Sequence, residues 1–288
     1  MPQSSSGAIA LRKFGRADAQ ISILGFGGHH LGEAPDQKTA VEIIHRAVDG
    51  GITFYDNCWE YRRGKTEIWM GAGLKGRRDK VFLMTKTCPH GRDASIALQM
   101  LEESLRRLQT DHLDLWQLHD LRTPGDLRAI FGRGGALEAL IQARREGRVR
   151  FLGLTGHHDP AILLDAMGRF DFDTVLVALN AADVHDSSFA RTVLAEAARR
   201  GMGVIGMKVY AAGVLLRAGA HGLTPDRALR YVLSLPGVST VVIGCSSPEE
   251  VDENARIARE SRPLDGSAIH AIEQHTAPHA GFFTSYKK

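Results

Sequence analysis

Apolar runs of strand length alternate with amphipathic runs of helical spacing eight times along this chain, and this alternation narrows its fold more than any other feature. The strand-like runs cover residues 22–26, 53–56, 81–86, 113–119, 149–154, 174–179, 203–207 and 240–243. Helical spacing is plain in 39–48, where Val41, Ile44, His45 and Val48 share a face. It recurs in 95–108, through Ile96, Leu98, Leu101, Leu105 and Leu108. Further helices are expected over 136–146, 160–167, 188–200, 225–233 and 248–259. Pro160, Pro225 and Pro248 follow Asp159, Thr224 and Ser247, each an N-cap residue ahead of a proline in the first turn. Helices are expected to stop near Gly50-Gly51, Gly147, Gly168 and Gly201.

Eight strand–helix units without a central break predict an α/β fold, a (β/α)8 barrel in one domain over residues 1–288. A doubly wound sheet would carry a dominant glycine fingerprint after its first strand. Here that strand runs into Gly25-Phe26-Gly27-Gly28-His29-His30, which lacks the fingerprint's spacing. Residues 8–20 are expected to form a hairpin closing the barrel bottom. Residues 261–288 are expected to add a helix over 268–275 and a tail.

A chain of 288 residues with net charge +3 shows no block of like charge that would mark a nucleic-acid partner or a polybasic anchor. No apolar stretch approaches the roughly 20 residues needed to span a bilayer, and residues 1–10 lack the pattern of a secretory leader. Cys58, Cys88 and Cys245 are too few and too scattered for a disulfide framework or a tetrathiolate metal site. The expected location is a reducing cytoplasm.

Three consecutive strands end on chemically useful groups: Gly51–Tyr55 on Asp56, with Tyr61 five residues on; 81–85 on Lys86; 113–118 on His119. In an α/β barrel the C-terminal strand ends face the active site. A free phenol has a pKa of ~10 and is a weak acid for a leaving alkoxide. An ammonium beside it lowers that value. Lys86 is therefore expected to tune Tyr61, Asp56 to hold Lys86, and His119 to help place a proton on a carbonyl oxygen. None of the four is a Lewis acid or a covalent nucleophile, so hydride has to come from a bound carrier. Each residue alone has an ordinary structural reading as a cap, a snorkelling surface group or a loop residue. Their joint appearance is much harder to reach by chance.

The string Gly51-Ile52-Thr53-Phe54-Tyr55-Asp56-Asn57-Cys58-Trp59-Glu60-Tyr61, then Thr85-Lys86, then Asp111 to His119, resembles the aldo-keto reductase family. Val242-Ile243-Gly244-Cys245-Ser246-Ser247-Pro248-Glu249-Glu250, with Glu253-Asn254, extends the likeness, which covers residues 21–258. The resemblance implies carbonyl reduction by NADPH, with NADH as a competitor, and a small-molecule carbonyl substrate. It implies a catalytic tetrad of Asp56, Tyr61, Lys86 and His119, with Tyr61 the general acid. It also assigns cofactor contacts to Gly28, Thr155, Gly156, Met207, Lys208, Val209, Gly244, Ser246, Ser247 and Asn254, and no metal ligands.

Departures from the family pattern concentrate on the cofactor. Thr155-Gly156 stands where the family has a Ser-Asn pair for the nicotinamide carboxamide. Leu176 stands where it has a Gln, Met207 where an aromatic stacks on the ring, and Glu250 where an Arg often meets the 2′-phosphate. His157 and Lys208 are candidates to hold the ring instead. A carboxylate at Glu250 would repel a phosphate, while Ser246, Ser247 and the helix start at Pro248 would attract one. Two other functions fit parts of this pattern. One is a cofactor-sensing regulatory protein with weak turnover, suggested by the altered nicotinamide pocket. The other is a metal-dependent hydrolase, suggested by His29, His30, His119, His157 and His158, but the eighth strand ends in Gly244-Cys245 with no carboxylate.

Overall fold

A computed structural model describes residues 7–287. The leader reading over residues 1–10 therefore lies mostly outside the described residues. The chain opens with an antiparallel hairpin of β1 (Leu11–Lys13) and β2 (Gln20–Ser22). Eight parallel strands follow: β3 (Leu24–Gly27), β4 (Phe54–Asp56), β5 (Phe82–Lys86), β6 (Leu113–Leu118), β7 (Val149–Gly156), β8 (Thr174–Ala178), β9 (Gly203–Met207) and β10 (Val238–Gly244). They pair in chain order, and β10 closes on β3. The expected (β/α)8 barrel is the fold observed. These strands are buried on both faces, one lining the barrel and one lying under helices, which explains their unbroken apolar runs.

Helices wrap the barrel: α1 (Gln37–Asp49), α2 (Lys65–Leu74), α3 (Ala94–Leu108), α4 (Pro124–Phe131), α5 (Ala136–Arg145), α6 (Pro160–Arg169), α7 (Val193–Arg199), the one-turn α8 (Val214–Arg217), α9 (Pro225–Ser234) and α10 (Pro248–Glu260). Asp159, Thr224 and Ser247 each accept a backbone N–H of the helix they cap. After α10, α11 (Gly266–Thr276) and further short turns run to Lys287.

The hairpin plugs the barrel bottom. Phe14 is fully buried and meets Phe54 and Phe82 edge-on, at 5.7 and 5.3 Å between ring centroids. Leu115, Leu176, Ile205 and Val242 complete this plug. Arg12 ties the hairpin down by donating to the carbonyls of Val238 and Leu233.

Three elements differ from expectation. The helix α2 was not foreseen because it is buried on several sides and carries no clear apolar stripe. Its Gly71 and Gly73 let the backbone approach Leu108 and Ile44 too closely for any side chain. The segment 122–135, where no helix is expected from the sequence, contains α4, whose Thr123 and Asp126 form a reciprocal capping box. The helix expected over 188–200 starts only at Val193. The Asp183 carboxylate accepts from the Ser188 hydroxyl and the Ala190 N–H, holding that stretch out of the helix.

Candidate functional site

Asp56 and Lys86 end β4 and β5, and His119 directly follows β6, so backbone alone brings them to one side of the barrel mouth. Tyr61 arrives by a loop that folds back on itself. The Tyr61 N–H donates to the Cys58 carbonyl, and Arg62 and Arg63 then adopt left-handed backbone, with φ of 49° and 58°. A buried network behind the loop holds it. Arg107 donates to the Trp59 carbonyl and to Glu67, and Glu67 also accepts from Thr85 and Ser104. The four residues singled out by sequence thus meet.

Lys86 is the hub. Its Nζ is buried, ion-paired with Asp56, donates to the Asn57 carbonyl at 2.8 Å and lies 3.3 Å from the Tyr61 hydroxyl. Burial alone would drive the Lys86 ammonium toward neutrality, but Asp56 and Tyr61 reverse this and raise its pKa. Lys86 does pull the Tyr61 phenol down, as expected, but it does not set the net shift. Burial pushes that phenol above its ordinary value, and Lys86 offsets only part of the rise. Burial thus favours the protonated phenol, the state that a proton donor requires.

His119 has a partner that the sequence reading overlooked. Its Nδ1 lies 2.9 Å from a Glu60 carboxylate oxygen and 3.4 Å from the Cys58 sulfur. Burial lowers the His119 pKa, while Glu60 pulls it upward. The only sequence signal for Glu60 was its position directly before Tyr61. Around this corner, His29 meets the Tyr61 ring edge-on at 5.0 Å, and His119 meets it at 6.1 Å.

The other side of the mouth holds the expected cofactor residues. At Gly28 the backbone N–H donates to the Asp56 carbonyl, and a Cβ there would lie 2.6 Å from that oxygen. Gly244 has the same constraint against His30, at 2.1 Å. Gly156 is pressed against the Leu121 carbonyl and Leu163, which explains why no longer side chain stands there. Leu176 pairs with Thr155 across β7 and β8 and belongs to the apolar plug, so the plug rises to the level of Thr155. Met207 packs half-buried on the same plug, followed by a tight turn through Lys208 (φ 55°) and buried Val209.

Four buried polar atoms on this side lack hydrogen-bond partners: Thr155 Oγ1, Asp120 Oδ1, His157 Nδ1 and His158 Nε2. The His157 and Asp120 atoms face each other at 3.3 Å without hydrogen-bond alignment. Burial drives the His157 pKa down to about 3 despite Asp120. The tail closes part of this rim. The Lys287 carbonyl is 3.2 Å from His158 Nδ1, Tyr286 meets Asn180, and the Lys287 ammonium is buried against Asp183. Of Phe282 and Phe283, only Phe283 packs inside.

The start of α10 is already satisfied. Glu250 accepts from both the N–H and the hydroxyl of Ser246, and Ser247 caps the helix by accepting the Glu250 N–H. Asn254 donates to the Glu250 carbonyl and accepts from Tyr210. Ser246 and Asn254 are thus engaged within the protein, whereas the sequence alone suggested free donors.

Comparison with known proteins bears on the family of the chain. The model of the Aldo/keto reductase family matches residues 23–227. The chain belongs to the aldo/keto reductase family. It is accordingly a nicotinamide-dependent oxidoreductase rather than a metal hydrolase. It is 28% identical to L-galactose dehydrogenase of Arabidopsis thaliana over 94% of this chain and 95% of that one. It is 31% identical to the uncharacterized oxidoreductase YrpG of Bacillus subtilis, over 74% and 72% of the two chains. Among solved structures, the holo form of aldo-keto reductase AKR11C1 from Bacillus halodurans superimposes with a TM-score of 0.79 at 25% identity, over 93% and 96% of the chains. No helix among the described residues is long and apolar enough to cross a membrane.

Proposed function

We propose that this reductase converts an aldehyde or ketone to an alcohol with NADPH, and that Tyr61 is the general acid. The observation that carries the assignment is the Tyr61 hydroxyl 3.3 Å from a buried Lys86 ammonium that is itself paired with Asp56. The bound cofactor supplies the hydride. Tyr61 gives its proton to the carbonyl oxygen as charge develops there, and Lys86 neutralises the phenolate left behind. Asp56 and the Asn57 carbonyl keep the ammonium aimed. His119 borders the same space and helps orient the carbonyl.

The rim suits a polar ligand. A buried polar atom without a partner costs about 1–3 kcal/mol. A carboxamide, with two N–H donors and one acceptor, complements Thr155, His157 and Asp120, and these residues would hold it. Discrimination between NADPH and NADH is weak in this reading, because Glu250 keeps a carboxylate and its two serine donors where a phosphate would be welcomed. Two solved aldo-keto reductases from Klebsiella pneumoniae that share the fold hold NADP and NADPH. The three free buried cysteines support a reducing compartment such as the cytoplasm.

The test is steady-state turnover of a panel of aldehydes and ketones with NADPH and with NADH. Turnover with both cofactors, unaffected by a chelator, supports the proposal. Tight cofactor binding with no turnover of any carbonyl would favour a cofactor-sensing role.

A further inference from the structure

We infer that Glu60 is a positioning residue for His119: it holds the Nδ1 proton, leaves Nε2 to face the reacting oxygen, and provides the negative charge against which the ring can be protonated. The inference rests on the tetrad reading above and adds to it a residue outside the tetrad. Its basis is geometric. Glu60 Oε1 lies 2.9 Å from His119 Nδ1. A carboxylate can only accept, whereas the Cys58 thiol, 3.4 Å from the same nitrogen, can accept or donate; the shorter pairing with Glu60 assigns the hydrogen to Nδ1 in this inference. In the neutral ring Nε2 is then a lone pair, and it has no partner among the described residues.

A substrate carbonyl oxygen is also an acceptor. A neutral ring of this tautomer cannot donate to it, whereas a protonated ring donates through Nε2 while Glu60 balances the charge at Nδ1. In the reverse direction the neutral Nε2 accepts from the alcohol O–H. The carboxyl–imidazole pair therefore couples the state of His119 to the state of the substrate oxygen.

The other groups facing His119 set the balance. Lys86 disfavours the protonated ring, as does His157 across the mouth; Asp120, next in sequence, favours it. Cys58 is a neutral thiol, its ionisation suppressed by burial. Tyr61 presents its ring edge-on at 6.1 Å. The Glu60 carboxyl is held below its ordinary value mainly by His119, against burial and Asp120. Among the described residues Glu60 is the carboxylate that pairs with the ring, at 2.9 Å.

The experiment uses the full chain with histidine side-chain nitrogens labelled, observed by NMR across pH in the parent, in Glu60→Gln and in Glu60→Asp. Glutamine keeps an acceptor for Nδ1–H but removes the charge. The parent is expected to show the Nδ1–H tautomer at His119. Its titration midpoint should fall by about one pH unit in Glu60→Gln and stay nearer the parent in Glu60→Asp. With 4-nitrobenzaldehyde as probe, the limb of the kcat/KM profile that follows His119 should move by the same amount. A purely structural role would change stability and leave the midpoint in place. An Nε2–H tautomer in the parent, or an unmoved midpoint in Glu60→Gln, overturns the inference. Failure of the tetrad reading is seen separately, as retained turnover in Tyr61→Phe.

Discussion

The corner built by β4, β5 and β6 and the rim built by β7 to β10 share one barrel mouth, but they are finished to different degrees. In the corner the groups nearest the reacting position are paired: Lys86 with Asp56, Asn57 and Tyr61, and His119 with Glu60. In the rim, Thr155, Asp120, His157 and His158 hold buried polar atoms with no partner. Groups that must move a proton gain from being fixed before the substrate arrives. Groups that must grip a ligand keep unused hydrogen-bonding capacity until it arrives. On the proposed assignment, the contrast separates proton delivery from cofactor binding, so that each side can be perturbed on its own.

The largest expected effect lies in the corner. Lys86→Met removes the ammonium and leaves the Asp56 carboxylate, only 6% exposed, without its partner. Breaking such a buried pair costs roughly 3–5 kcal/mol, and turnover should be lost as well. Chemical denaturation of the two proteins measures the loss. A variant as stable as the parent would show that the pair is not the fixed element described here.

The rim should respond to acid. Burial holds the His157 pKa near about 3, below its unfolded value, so the folded state prefers the neutral ring. Between these values the unfolded chain binds more protons, and stability falls as pH falls from about 6.5 toward 3. Denaturation at pH 7 and pH 5 should show a loss of about 1–2 kcal/mol from this group, reduced in His157→Gln. An equal loss in the variant would assign the acid sensitivity elsewhere, with His29 and His119 the next candidates because burial lowers both.

The smallest effect concerns cofactor choice. Glu250→Arg frees Ser246 and replaces a carboxylate with a cation at the start of α10. NADPH binding should tighten, by about 0.3–1 kcal/mol if the site is exposed, with NADH nearly unchanged. Dissociation constants for both cofactors at low and moderate salt decide it. Equal shifts for both would mean that this end of the barrel does not face the adenosine phosphate.

The two regions also differed in how far the sequence disclosed them. The corner was legible because Asp56, Lys86 and His119 end unbroken apolar strands, and strand ends converge in a barrel. Glu60 was missed because its partner lies 59 positions away, on a different strand end. The rim was legible only as a set of residue types. That Ser246 is taken up by Glu250, and that Gly156 is walled in by Leu121 and Leu163, depends on packing that no local pattern encodes. The same holds for α2, where small residues pack on two sides and erase the helical stripe, whereas α4 carried a readable capping box in Thr123 and Asp126. The direction of the Tyr61 shift was misjudged for a related reason. The neighbouring charge was visible in sequence, but the burial that outweighs it was not.

The separation of proton delivery from cofactor binding is tested most directly by titrating NADPH into Tyr61→Phe and measuring its turnover in parallel. Removing one hydroxyl from the corner should abolish carbonyl reduction, by at least about 10²-fold, while the dissociation constant of NADPH stays within about twofold of the parent, under ~0.5 kcal/mol. Turnover within about tenfold of the parent, ~1.4 kcal/mol of barrier, would mean that another group is the acid. A cofactor affinity that collapses together with turnover would mean that corner and rim are one site.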